Sequence, residues 1–159
     1  LDAAKACVCK LQNINMTEEE RELFLNEFEK EQEKSLLGFC VMGGIFSEGI
    51  DLTEEKLIGA IIVGTGLPKV CTEREILKQY FDGRGLGGFD YAYLYPGMNK
   101  VLQSAGRVIR TASDKGCVLL LDERFGRNEY KKLFPREWKQ PVFGNISDLP
   151  NILENFWKD

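Results

Sequence analysis

Three apolar runs of strand length constrain the fold more than any other feature: residues 36–42, 57–63 and 117–121. Each is continuous rather than alternating, the pattern of a strand buried on both faces. Each ends on turn or polar residues: Gly43-Gly44 after the first, Gly64-Thr65-Gly66-Leu67-Pro68 after the second, Asp122-Glu123-Arg124 after the third. Helical signals lie between them. Thr17 with Glu20 forms a capping box for a helix from about residue 18 to 31, and Thr72 with Glu75 forms another for a helix to about Phe81. Pro96 introduces a third helix carrying residues 103–110, and shorter helices are expected near 127–133 and 148–157. Residues 7–12 alternate and read as one further strand. Strands separated by helices make an α/β chain with a largely parallel sheet and helices on both faces, and ligands of such sheets gather at the carboxyl ends of the strands.

A length of 159 residues suits one domain, with residues 135–159 a less regular extension packed on it and Trp138 and Trp157 as anchors. The chain opens on Leu1 in a segment without targeting character, and a fragment of a longer protein is expected. A formal net charge of −4 argues against a general polyanion-coating protein but leaves room for a local basic patch. Histidine is absent, which removes Ser-His and Cys-His catalysis and histidine metal sites from this chain. The five cysteines lie mostly in apolar runs without a CxxC pair and read as reduced, buried thiols. No apolar run has transmembrane length, so a cytoplasmic, non-membrane, monomeric piece is expected.

The polar and basic stretch Gln103-Ser104-Ala105-Gly106-Arg107-Val108-Ile109-Arg110 interrupts apolar neighbours. On a continuous helix Gln103, Arg107 and Arg110 would share an arc of about 60°. Guanidinium forks suit phosphate oxygens; two solvated arginines paired to acidic neighbours are the alternative. The glycine loop 43–52, with Ser47, Glu48 and Asp51, reads either as an ordinary strand-end turn or as a phosphate and ribose contact. Residues 83–88 spell GxGxxG but follow a helix instead of a strand, so a surface loop is expected and a dinucleotide-binding oxidoreductase is set aside. No Walker A sequence is present. Arg84, Lys100 and Lys115 are candidate DNA contacts only because they are basic and near loops; solvated surface charge is the reading preferred for each.

Gly-Gly-Ile-Phe-Ser-Glu-Gly-Ile-Asp at 43–51 with Gln-Ser-Ala-Gly-Arg-Val-Ile-Arg at 103–110 resembles motifs V and VI of superfamily 2 helicases, and more narrowly the XPD/DinG family. Gly66-Leu67-Pro68, Tyr95-Pro96, Asp114-Lys115-Gly116 and Leu121-Asp122-Glu123-Arg124-Phe125 extend the resemblance over most of the chain. It implies the second RecA-like domain of an ATP-dependent DNA helicase, a P-loop-NTPase-like fold without its own P-loop. Arg107 and Arg110 match the arginines that reach the γ-phosphate. Gln103, Gly49, Asp51 and Glu48 match nucleotide-side positions, while Ser47 and Glu48 would couple the ATP state to single-stranded DNA. ATP and Mg2+ would be held mainly by the N-terminal RecA-like domain of the same protein. An iron–sulfur cluster belongs, if anywhere, to that half and not to this chain. The strand carrying motif IV would precede Leu1, and the piece alone is expected to lack ATPase activity. A non-catalytic RecA-like module that binds a protein partner is the alternative.

Overall fold

The computed structural model describes residues 7–13, 15–31, 33–44, 57–109, 114–138 and 144–158. The chain divides into two compact units, Leu1–Asp122 and Glu123–Asp159. In the first, the order is β1 (Cys7–Leu11), α1 (Glu18–Glu29), β2 (Ser35–Phe39), β3 (Gly59–Val63), α2 (Thr72–Asp82), a π-helix (Asp90–Leu94), α3 (Tyr95–Ala105) and β4 (Cys117–Leu121). All described pairing is parallel. β1 pairs with β2, Cys7 opposite Ser35, and β3 pairs with β4, Gly59 opposite Cys117.

The capping box of α1 forms as expected: Glu20 N–H donates to Thr17 Oγ1 at 3.3 Å, and Thr17 N–H donates to Glu20 Oε2 at 2.8 Å. This helix lays Phe24 and Phe28 over Gly38 of β2, where a Cβ would come within 2.6 Å of Phe28 Cζ. A single helix covers only one face, and β2 accordingly alternates between exposed and half-buried side chains. Full burial of the strands is therefore corrected. Phe39, Ile61 and Val63 are 53%, 55% and 72% exposed because each strand has one described sheet neighbour and one covered face. The thiols follow the same geometry. Cys9, Cys40 and Cys71 are exposed, and only Cys7 and Cys117 are half-buried.

The expected capping box of α2 does not form. Cys71 is its N-cap, without a side-chain bond, and Thr72 is already helical. Glu75 is occupied elsewhere: its Oε1 accepts the Tyr93 hydroxyl at 2.5 Å, while Arg74 Nη1 donates to Ala92 O at 3.0 Å. These two bonds fasten α2 to the π-helix, whose Ala92, Tyr93 and Leu94 are buried. The GxGxxG segment is the connector between them. Gly85 has φ +71°, and Gly88 N–H donates to Asp82 Oδ1 at 2.7 Å.

In the second unit a 3-10 turn (Glu123–Gly126) precedes α4 (Asn128–Lys131) and α5 (Leu149–Lys158). Among its described residues, Phe125 and Tyr130 are buried. The helix expected over 127–133 is limited to the four residues of α4, because Leu133 and Phe134 N–H donate to carbonyls three residues back and the turn tightens. Trp138 is half-buried with its ring 5.5 Å from Phe134, whereas Trp157 is 42% exposed and pairs with Phe156. No helix among the described residues is long and apolar enough to cross a membrane.

Candidate functional site

The site is built on α3 and the strand ends it touches. Pro96 stands in the first turn of α3, and Gly97, Met98, Val101 and Ala105 form its buried face. Gly97 allows backbone contact with the loop after β3: a Cβ there would lie 2.7 Å from Thr65 O and 3.1 Å from Leu67 N. Gly66, at φ +65°, completes the fit, since a Cβ on it would lie 2.8 Å from Gly97 O and 3.0 Å from Met42 Sδ. The ends of β2 and β3 and the first turns of α3 thus meet at one rim. Thr65 is fully buried there, and its hydroxyl has no hydrogen-bond partner among the described residues.

One turn further along α3, Lys100 reaches the glycine loop after β2. Gly43 has φ +76°, and a Cβ on it would lie 2.9 Å from Lys100 Cδ and 3.3 Å from Lys100 Nζ. The turn is held in place by Gln12, whose Oε1 accepts Val41 N–H at 2.8 Å, and by Gly44 N–H donating to Val41 O at 3.0 Å.

Helix α3 ends at Ala105, five residues before the expected end. Gly106 N–H still donates to Leu102 O at 2.8 Å, but Arg107 and Val108 N–H donate three residues back, to Ser104 O at 3.3 Å and Ala105 O at 3.1 Å. The cause lies in the neighbours. Val108 is buried against Gly116, where a Cβ would collide with its Cγ1, and Cys117 N–H donates to Ile58 O at 3.1 Å. The chain leaves the helical path to place Val108 there, so Gln103 and Arg107 do not stand on one continuous helix. Gln103 is exposed on α3, and Arg107 is half-buried in the turn immediately after it. Arg110, Ser47, Glu48, Gly49 and Asp51 lie outside the described residues.

Three parts of this rim were not singled out from sequence: Thr65, Gly97 and the packing of Lys100 on Gly43. Gly97 after Tyr95-Pro96 was a legible signal for close helix approach. The other two depend on which loops meet. Cys117 stands away from the rim, at the amino end of β4 opposite Gly59, and burial pushes its thiol above the ordinary range. Among the described residues there is no group of three or more His, Cys, Asp or Glu that could hold a metal ion.

A family model described as "Helicase C-terminal domain" matches residues 3–141. The chain belongs to that family. It is similar to "ATP-dependent DNA helicase CHL1" of Yarrowia lipolytica, 28% identical over 137 residues that cover 74% of this chain and 17% of that protein. Human "Regulator of telomere elongation helicase 1" is 29% identical over 131 residues, 75% of this chain and 11% of that protein. Among solved structures, an XPD helicase matches with a TM-score of 0.61 at 24% identity, covering 78% of this chain and 22% of that one, a likeness of fold. The helicase C-terminal domain is therefore of the XPD/DinG type, with an α/β RecA-like fold. The chain spans less than a fifth of the length of the two curated relatives named here.

Proposed function

We propose that this helicase C-terminal domain is one half of an ATP-driven DNA motor and supplies Arg107, with Arg110, to ATP held on a separate N-terminal RecA-like domain. Hydrolysis at that interface drives movement along single-stranded DNA. The observation that carries the reading is the anchoring of Arg107 at a turn between the end of α3 and Val108, which is locked over Gly116. Phosphoryl transfer depends on positioning and on stabilising charge spread over the phosphate oxygens, and a guanidinium carried on a main chain fixed on both sides suits that task. Gln103 orders the nucleotide-side surface next to it. Gly49, Asp51 and Glu48 contact the nucleotide, Asp51 at the ribose, and Ser47 with Glu48 link the nucleotide state to the DNA strand.

The test is made in the full-length protein. Arg107→Ala is expected to lower DNA-stimulated ATP turnover by about a thousandfold, the scale of losing an arginine finger. Thermal unfolding should remain that of the parent protein. Unchanged turnover with the fold intact rejects the assignment.

A further inference from the structure

Arg84, Lys100 and Lys115 look alike in sequence, but their surroundings differ. Arg84 lies over the Tyr80 ring, 3.7 Å from its centroid, and Lys115 is exposed. Lys100 is half-buried, its stem laid along Gly43 at the rim where the ends of β2 and β3 meet α3. No carboxylate among the described residues pairs with it. Burying a long stem while leaving its ammonium without a counter-charge costs hydration and rotamer freedom. The protein nevertheless keeps room for this stem, because Gly43 has no Cβ to displace it, while the Ser104 hydroxyl donates to the main-chain carbonyl of Lys100 at 2.9 Å and closes that turn of α3. Lys100 and Gln103, three residues apart, share one face of α3, and Arg107 follows one turn later.

We propose that Lys100 is a phosphate-binding residue, its ammonium taking one phosphate oxygen at the carboxyl end of β2 while Gly43 keeps the approach open. This rests on the motor reading above and adds a contact to it. The phosphate belongs either to the sugar–phosphate backbone of single-stranded DNA or to the nucleotide, and the two sources separate experimentally.

In the full-length helicase, Lys100→Gln and Lys100→Arg are compared with the parent by two measurements. The first is the affinity for a fluorescent oligothymidylate without nucleotide, as a function of salt. The second is the KM for ATP at saturating DNA. For a DNA phosphate, Lys100→Gln lowers the slope of log affinity against log salt by about 0.7, the value for one single-strand contact, and leaves the KM for ATP in place. For a nucleotide phosphate, the salt slope is unchanged and the KM rises roughly three- to tenfold, as for a screened charge-assisted contact. Lys100→Arg restores whichever quantity moved. A Lys100→Gln protein that matches the parent in both overturns the proposal. Arg107→Ala, measured alongside, is expected to lose turnover while keeping the parent's salt slope. Failure of the arginine assignment is thus visible separately from failure at Lys100, and a parent protein with neither DNA affinity nor ATP turnover overturns both.

Discussion

Gly97 and Gly66 set how near α3 can come to the loop after β3, because each presents bare backbone to the other. A methyl group at position 97 would meet Thr65 O and Leu67 N, atoms that cannot rotate away. Gly97→Ala is therefore expected to destabilise the domain by about 1–3 kcal/mol, read as a lower midpoint in urea at unchanged slope. Gly126 is the matching control, since a Cβ there meets nothing within 4 Å, and Gly126→Ala should stay within about 0.5 kcal/mol of the parent. Under the motor reading, Gly116 links stability to turnover. A methyl group at 116 would push Val108 out of its slot and carry Arg107 with it. Under the motor reading, Gly116→Ala in the full-length protein should lower kcat about a hundredfold, the usual consequence of a misplacement near 1 Å, with a smaller change in the KM for ATP.

At the scale of elements, the π-helix Asp90–Leu94 is the part that sequence periodicity did not reveal. Its wider turn brings Tyr91 onto Phe81 with ring centroids 4.1 Å apart and places Phe89 beside Tyr93 at 5.5 Å. The Tyr93–Glu75 bond then ties the π-helix to α2. Because Tyr93 donates to the Glu75 carboxylate, its phenol is pushed up to about 12 in the folded protein, against 10 for the free group. A group with a raised folded pKa contributes stability that is complete below the unfolded value and lost as pH rises through the folded one. The stability difference between the parent and Tyr93→Phe should thus be constant below pH 10 and shrink toward pH 12, as followed by denaturant unfolding alongside tyrosinate absorbance. The missed capping box at Thr72 has the same origin. Glu75 was legible as a capping residue only while Tyr93 was not known to face it.

On the scale of the whole molecule, the proposed motor gives this helicase C-terminal domain one side of a phosphate site and needs a second domain to present ATP. The 159-residue chain alone is accordingly expected to release no phosphate from ATP above the buffer rate, while the full-length protein turns over with DNA present. Turnover by the isolated chain would contradict the divided site. Sequence by itself determined the α/β class, the four strands, the main helices, the first capping box and the family, because apolar runs, caps and the 103–110 pattern are local properties that survive without neighbours. Tertiary structure alone decided where α3 stops, that Lys100 differs from Arg84 and Lys115, and which strand faces are covered. Those outcomes depend on residues far apart in the chain: Val108 needs the gap at Gly116, Lys100 needs the bare backbone of Gly43, and β2 is half-buried only on the face that Phe24 and Phe28 cover.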